Sequence, residues 1–176
     1  MTDQFLAIGE CMVELALQPD GAYAMGFAGD TFNTAWYARR SLPEAWRVGY
    51  LSAVGRDAVS DRMLAFMTGA GIDTRAVARL PDRTVGLYMI ELVKGERSFS
   101  YWRGQSAARA LAADAARLAA ALDGVTLAYK ALPKGSADAS AWRRFSQQPP
   151  PQRWQQIGSS SSPSGRVKRE TTEKVL

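Results

Sequence analysis

One stretch of the chain constrains its fold more than any other, because a glycine-hinged turn leads directly into an amphipathic helix. This stretch, Gly26 to Arg40, reads GFAGDTFNTAWYARR. Its two glycines let the backbone approach a ligand closely because they carry no Cβ. Asp30, Thr31 and Asn33 place donors and acceptors beside the positive end of the helix. Apolar residues then recur at helical spacing, which predicts a helix anchored by one face while its start faces a polar small molecule.

Composition excludes several kinds of site. The 176 residues include a single cysteine, Cys11, and no histidine. The sequence therefore has no disulfide framework or multi-cysteine metal site, and it lacks the commonest general base. Any chemistry must use carboxylates, arginines and backbone amides. The sequence shows neither a signal peptide nor an apolar stretch approaching about 18 residues, so we expect a cytoplasmic protein.

The net charge of +5 belongs to the last part of the chain. Residues 1–129 carry thirteen Lys and Arg against fourteen Asp and Glu, whereas residues 130–176 carry nine against three. The nearly balanced charges of residues 1–129 are typical of an ordinary solvated surface. We therefore expect neither a nucleic acid nor a membrane as a partner. A binding role for the basic tail would require a steep loss of binding with rising salt.

Strands and helices alternate through the first part of the chain. The apolar run Phe5 to Val13 predicts a buried strand that becomes partly exposed, and Arg47 to Val54 predicts a second strand. The helix that follows the glycine-hinged turn should end at the Ser41–Pro43 break. Ala58 to Ala70 predicts a further helix, capped by Asp57 or Ser60.

A β-hairpin then interrupts the alternation. Its strands are predicted at Thr84 to Val93 and Arg97 to Arg103, within a lid at about residues 84–103. Such a hairpin in an α/β chain often serves as a lid. Ala107 to Leu122 predicts one helix from its alanine and leucine content, and Gly124 to Tyr129 predicts another buried strand.

The succession of predicted strands and helices stops at Lys130. From there onward Ser and Pro dominate and no periodicity is present. Such a segment cannot bury enough apolar surface to fold alone. Two explanations stay open: a reading-frame shift near Tyr129, or a natural disordered basic tail. We therefore predict a folded part at 1–129 and a low-complexity basic tail at 130–176 that is disordered or out of frame.

Three segments together resemble the ribokinase-like, or PfkB, family of sugar kinases, and within it the 2-keto-3-deoxygluconate kinases. They are Gly9–Leu15 (GECMVEL), Gly26–Arg40, and the pair Gly86–Tyr88 with Gly95–Arg103. The resemblance covers about residues 4–129 in the family's order. It implies an α/β fold, a ribokinase-like doubly wound sheet with a small β lid, present here as the N-terminal portion only and followed by a disordered tail.

The resemblance also implies where a sugar acid would bind. Six residues match the family's sugar-contacting positions: Gly29, Asp30 and Asn33 in the turn and helix start, and Tyr88, Tyr101 and Arg103 in the lid. A guanidinium can bind the sugar's carboxylate as a fork, and the tyrosine hydroxyls can bind its polar groups. Without the resemblance, alternating aromatic residues on a hairpin would indicate packing, and an isolated arginine would be taken as solvated.

The chain also departs from the family pattern. A second motif, Gly-Ala-Gly-Asp, supplies the family's catalytic aspartate and the helix start that holds phosphate charge, and no such motif follows Tyr129. Ala28-Gly29-Asp30 mimics this motif, but its place before the hairpin argues against a catalytic Asp30. The resemblance therefore implies ATP and Mg²⁺ in the complete enzyme, and no bound ATP, no Mg²⁺ and no catalytic residue in this chain alone. The alternative is a non-catalytic protein that binds a sugar acid or a partner, including a second copy of itself, through the lid.

Overall fold

The computed structural model describes residues 2–93 and 95–130, so the predicted tail lies outside the described residues except for Lys130. The described residues form the following elements in chain order: β1 Gln4–Ile8, β2 Met12–Leu17, β3 Tyr23–Ala28, α1 Asp30–Ser41, β4 Arg47–Val54, α2 Ala58–Gly69, β5 Val77–Arg79, β6 Leu87–Val93, β7 Glu96–Trp102, a 3₁₀ helix Ala107–Ala113, α3 Ala115–Leu122 and β8 Leu127–Lys130.

Strands β5, β4, β1 and β8 form one sheet in that order, in which every pair is parallel, and we call it the parallel sheet. All of β1 is buried, as is β4 from Val48 onward. Continuous apolar strands are typical of a parallel sheet covered on both faces. Among the described residues β8 is an edge strand, and its Leu127 and Tyr129 are 46% and 38% exposed. The sequence predicted a buried strand at this place, whereas most of β8 is exposed at the edge of the sheet.

A second sheet, the small sheet, has the order β3, β2, β6, β7. Strands β6 and β7 form the predicted hairpin, with Leu87 opposite Trp102 and Tyr88 opposite Tyr101. The sheet is larger than predicted, because β2 pairs in parallel with β6 and in antiparallel fashion with β3. Residues 26–28, predicted as part of a turn, are the end of β3.

Helices α1 and α2 pack their apolar faces against the core. Phe32 on α1 is 1% exposed, and its ring lies 5.7 Å from that of Tyr50 and 5.9 Å from that of Phe66. Met63 and Met67 of α2 are fully buried in the same cluster. The sequence correctly predicted that an apolar face anchors α1.

Two predicted elements were wrong in extent. The single helix predicted for Ala107 to Leu122 is a 3₁₀ helix followed by α3. Asp114 separates them, because its Oδ1 accepts a hydrogen bond from the backbone N–H of Arg117 at 2.9 Å and so starts a new helix. The predicted strand from Phe5 to Val13 is also two strands, because residues 9–11 carry the chain from the parallel sheet into the small sheet.

Asp57, one of the two residues that the sequence offered as a cap, is the N-cap of α2. Its Oδ1 accepts a hydrogen bond from the Ser60 backbone N–H at 2.8 Å, and its Oδ2 accepts one from the Ser60 hydroxyl at 3.0 Å. Burial acts to raise the pKa of the Asp57 carboxyl, but the hydrogen bonds from Ser60 and Thr84 outweigh it and lower that pKa below its usual range. A pKa below the unfolded value of about 3.9 stabilises the fold above that pH, and the contribution is lost as pH falls through the folded pKa.

We expect Asp57→Asn to destabilise the chain more at pH 7 than at pH 3.5. Asparagine keeps the cap acceptor but not the charge. The free energies of unfolding of the two proteins should therefore converge as the wild-type carboxyl becomes protonated. Urea unfolding at both pH values measures the difference. Asp82→Asn, at an exposed position, removes the same formal charge and serves as the control. A cost for Asp57→Asn that does not change with pH would contradict the prediction.

Candidate functional site

The candidate site lies where the parallel sheet and the small sheet meet. Residues 9–11 leave the carboxyl end of β1 and enter β2, and the start of α1 packs directly on this connection. In open α/β sheets, ligands bind beyond the carboxyl ends of the strands. The end of β7 reaches the same connection through an ion pair between Arg103 and Glu10.

Gly29 is required by packing at the start of α1. A Cβ at this position would lie 2.5 Å from the backbone carbonyl oxygen of Glu10 and 3.5 Å from the Cα of Cys11. Gly26 differs, because nothing lies within 4 Å of a Cβ built there. The close approach that the sequence assigned to a ligand is therefore, at Gly29, an approach to the connection between β1 and β2.

Asp30 and Asn33 lie on the first turn of α1, and both are exposed. The Asp30 Oδ1 accepts a hydrogen bond from the Thr31 backbone N–H at 2.6 Å. The side chain of Asn33 makes no hydrogen bond with the described residues, and its backbone N–H donates to the Gly29 carbonyl at 2.7 Å. Asn33 therefore offers an amide to solvent, while Asp30 has one carboxylate oxygen engaged locally.

Thr31 does not serve the polar role that the sequence suggested. It is 2% exposed, and its Oγ1 shares a hydrogen bond of 2.8 Å with the Tyr50 hydroxyl. A Cβ on Gly9 would lie 2.5 Å from this Oγ1. Burial raises the pKa of Tyr50 well above its usual range. Thr31 and Tyr50 therefore form a neutral buried pair that fixes α1 on the parallel sheet.

Tyr88 and Tyr101 are direct neighbours across β6 and β7, with ring centroids 5.8 Å apart. Phe99 stacks on Tyr101 at 6.2 Å. Tyr88 is 7% exposed and its hydroxyl donates to the Glu14 carboxylate, whereas Tyr101 is 54% exposed. Burial, and then the hydrogen bond to Glu14, raise the pKa of Tyr88. The two tyrosines therefore differ, because only Tyr101 presents its ring to solvent.

Glu10 and Arg103 form an ion pair in which Arg103 Nη2 lies 2.5 Å from Glu10 Oε2. The Glu10 side chain is 8% exposed and that of Arg103 is 44% exposed. Gly86 makes room for the pair, because a Cβ there would lie 2.6 Å from Glu10 Oε1 and 3.0 Å from the Cβ of Arg103. This pair joins the connection after β1 to the end of β7.

One face of the small sheet carries the predicted lid residues. Glu14, Tyr88 and Tyr101 occupy one row across β2, β6 and β7. Because successive side chains of a strand alternate between faces, Arg103, two residues after Tyr101, continues on the same face. The structure thus brings Tyr88, Tyr101 and Arg103 together, and it connects Gly29 to Arg103 through Glu10.

The carboxylates of Glu10 and Glu14 were not assigned a role from the sequence. The available signal was the motif GECMVEL, in which two acidic residues interrupt an apolar run. Within residues 2–93 and 95–130, no group of three or more acidic or cysteine side chains is arranged to hold a metal ion. None of the helices described is long and apolar enough to cross a membrane.

A cavity of about 490 Å³ lies elsewhere, beside the starts of β1 and β4 and against α3. Four of its five charged side chains already have partners: Asp73 pairs with Arg75 at 2.6 Å and with Arg47 at 3.8 Å, and Arg117 binds a backbone carbonyl. Arg75 lowers the pKa of the Asp73 carboxyl. Arg117 donates to the Ala76 carbonyl at 3.3 Å. None of the six predicted site residues lines this cavity.

Comparison with known proteins identifies relatives of most of the chain. Residues 2–148 match the model of the pfkB family of carbohydrate kinases. The chain is 44% identical over 110 residues to 2-dehydro-3-deoxygluconokinase of Dickeya dadantii, which covers 61% of this chain and 35% of that protein. It is 41% identical over 126 residues to 2-dehydro-3-deoxygluconokinase of Haemophilus influenzae, with coverage of 69% and 40%. The chain therefore spans well under half the length of these curated relatives.

Solved structures show the same fold. A PfkB carbohydrate kinase from Listeria grayi matches with a TM-score of 0.63 at 18% identity, over 73% of this chain and 41% of that one. The 2-dehydro-3-deoxygluconokinase of Thermotoga maritima matches with a TM-score of 0.60 at 20% identity, over 73% and 40%. A fructokinase from Xylella fastidiosa with bound ATP matches with a TM-score of 0.54 at 27% identity, over 61% and 33%. These matches confirm the predicted ribokinase-like α/β fold.

Proposed function

The chain belongs to the pfkB family of carbohydrate kinases, and on that premise we propose that it is the sugar-binding portion of a kinase for 2-keto-3-deoxygluconate or a closely related sugar acid. This sugar acid is the 2-dehydro-3-deoxygluconate named in its curated relatives. The observation that carries the proposal is the arginine at the end of β7. Arg103 is half exposed and lies on the same face of the small sheet as two tyrosines.

The proposed roles follow from the chemistry of the exposed groups. The Arg103 guanidinium binds the carboxylate of the sugar acid through charge-assisted hydrogen bonds. Tyr101 and Asn33 bind hydroxyl groups, and the free carboxylate oxygen of Asp30 accepts another hydroxyl. Gly29 keeps the start of α1 against the site. Tyr88 holds its ring beside that of Tyr101 while its own hydroxyl stays with Glu14.

The complete kinase transfers the terminal phosphoryl group of ATP, with Mg²⁺, to the primary hydroxyl of the sugar acid. The acidic side chains nearest the candidate site already have partners. Glu10 is paired with Arg103, Glu14 accepts from Tyr88, and Asp30 binds the start of its own helix. We therefore propose that this chain alone binds neither ATP nor Mg²⁺ and contributes no catalytic residue. Its single cysteine fits the reducing cytoplasm, which we propose as its location.

The first test is ATP consumption with 2-keto-3-deoxygluconate, measured for the 176-residue chain and for a version extended to a full-length kinase. Calorimetric binding of the sugar acid to both proteins accompanies it. We expect binding by both and turnover by the extended version only. Turnover by the short chain would overturn the assignment of the catalytic residues. Absence of binding and turnover in both would overturn the proposed substrate.

A second candidate is a non-catalytic protein that pairs with another copy of itself through the small sheet. The observation that favours it is the exposed apolar surface there, since Leu92 is 71% and Trp102 is 57% exposed. Sedimentation of the wild-type chain and of Leu92→Ser tests this candidate. A dimer that the substitution dissociates would support it, and a monomeric wild-type chain would exclude it.

A further inference from the structure

Glu10 carries a buried negative charge that the proposed sugar contacts do not use. Its side chain is 8% exposed, and neither carboxylate oxygen accepts a hydrogen bond of good geometry from the described residues. Burying an ionised carboxylate is costly unless a cation offsets it. Among the described residues, the ion pair of 2.5 Å with Arg103 is the interaction that does so.

Arg103 is anchored on one side only. One terminal nitrogen, Nη2, is paired with Glu10, and the side chain remains 44% exposed. A guanidinium has five N–H donors, and those of Arg103 make no hydrogen bond with other described residues. An anion can therefore bind Arg103 while Glu10 keeps its place behind it.

Gly86 is the third component of this arrangement. A Cβ at Gly86 would overlap Glu10 Oε1, at 2.6 Å, and would crowd the Cβ of Arg103, at 3.0 Å. The missing side chain thus creates the space in which the two charges meet. Glycine at this position, just before β6, serves the ion pair, because its backbone is not in the left-handed region.

We propose that Glu10 is a positioning residue, whose buried carboxylate fixes the Arg103 guanidinium in advance so that its free N–H groups can take the carboxylate of a sugar acid. A free arginine side chain loses rotamer entropy when it binds a ligand, and prior immobilisation removes that cost. The identity of the ligand rests on the proposed function. The coupling of Glu10 to Arg103 does not.

The binding test uses the full 176-residue chain with Glu10→Gln, Arg103→Gln and the double variant. The probes are 2-keto-3-deoxygluconate and its neutral amide, measured by calorimetry. We expect Glu10→Gln to lower the preference for the acid over the amide by about 2- to 12-fold, the value of one immobilised side chain. Arg103→Gln should abolish the preference for the acid over the amide. The double variant should bind the acid no more weakly than Arg103→Gln does.

Two binding results would overturn the proposal. Equal weakening of the acid and the amide by Glu10→Gln would mean that the residue only supports the fold. Tighter binding of the acid would mean that Glu10 competes with the ligand for Arg103. If the wild-type chain binds neither probe, the proposed function fails while the coupling can still be tested without a ligand.

That ligand-free test is the ¹⁵N–¹H resonance of the Arg103 Nη2 group, the nitrogen that pairs with Glu10, assigned by its absence from Arg103→Gln. We expect a slowly exchanging signal in the wild-type chain that takes on the exchange rate of a solvated arginine in Glu10→Gln. Glu91→Gln is the matched control, because Glu91 bonds Tyr23 on the other face of the small sheet. A resonance that does not change in Glu10→Gln would show that Glu10 does not position Arg103.

Discussion

Replacing Phe32 with alanine is expected to lower the free energy of unfolding by about 3–5 kcal/mol, the largest effect we expect of a single substitution in this chain. The ring is 1% exposed and fills the space between α1, α2 and β4. It packs edge-on against Tyr50 and lies 6.1 Å from Trp36 and 5.9 Å from Phe66. Alanine would leave a cavity among rigid aromatic neighbours that cannot close around it.

Urea unfolding of the 176-residue chain measures this cost. Tyr37→Ala, on the same helix at a position 68% exposed, is the control and should change the free energy by no more than about 0.5 kcal/mol. Phe32→Leu keeps most of the volume and should cost about 1.5 kcal/mol or less, so it gives a measurable value if the alanine variant does not fold. Similar losses for Phe32→Ala and Tyr37→Ala would contradict this account of the core.

Gly29→Ala is expected to cost about 1–3 kcal/mol, because the added methyl group meets backbone. Its Cβ would lie 2.5 Å from the Glu10 carbonyl oxygen, and neither partner can move away as the tip of a flexible side chain would. The start of α1 must shift, and Asp30 and Asn33 shift with it. Binding of the sugar acid should therefore weaken together with stability.

Gly26→Ala is the matched control for this prediction, because it makes the same chemical change three residues earlier, where a Cβ meets nothing within 4 Å. Alanine there should be tolerated, and by restricting the unfolded chain it should slightly favour folding. Unfolding free energies and calorimetric titrations of both variants provide the comparison. Equal effects of Gly26→Ala and Gly29→Ala would contradict the contact between Gly29 and Glu10.

The sequence predicted those secondary-structure elements that are determined by residues close together in the chain. Strand β4 was predicted to the residue, because Val48, Tyr50 and Val54 lie at alternating positions within Arg47–Val54. The start of α2 followed from the Asp57 cap. Strand β3 was missed because Ala24, Gly26 and Ala28 alternate with its larger residues, and small side chains conceal the alternation of a strand.

The helix at Ala107–Leu122 was predicted as one element because summed alanine propensity outweighed a single residue. Asp114 decided otherwise, since its side chain competes for backbone N–H groups and so favours a helix start over a helix interior. The helix propensity of many alanines thus had less effect on the structure than one hydrogen bond of Asp114.

The sequence named residues for the candidate site but gave none of their contacts. The family resemblance supplied Tyr88, Tyr101 and Arg103, and the structure places them on one face of the small sheet. No local pattern reveals that Glu10 pairs with a residue far along the chain, or that Thr31 turns inward to Tyr50. Such pairings are created by topology, and only the folded chain displays them.

The topology of the small sheet also bears on the order in which the molecule folds. Strand β2 pairs with β6, so Glu14 meets Tyr88 across 74 residues of sequence that contain two helices and two strands of the other sheet. Closing so long a segment carries an entropic cost before the pairing returns any stability. The surface proposed to bind the sugar acid is therefore expected to be completed only after the local hairpins β2–β3 and β6–β7 have formed. A molecule that binds this surface would act on a late step of folding and would increase the fraction of chains in which β2 and β6 are paired.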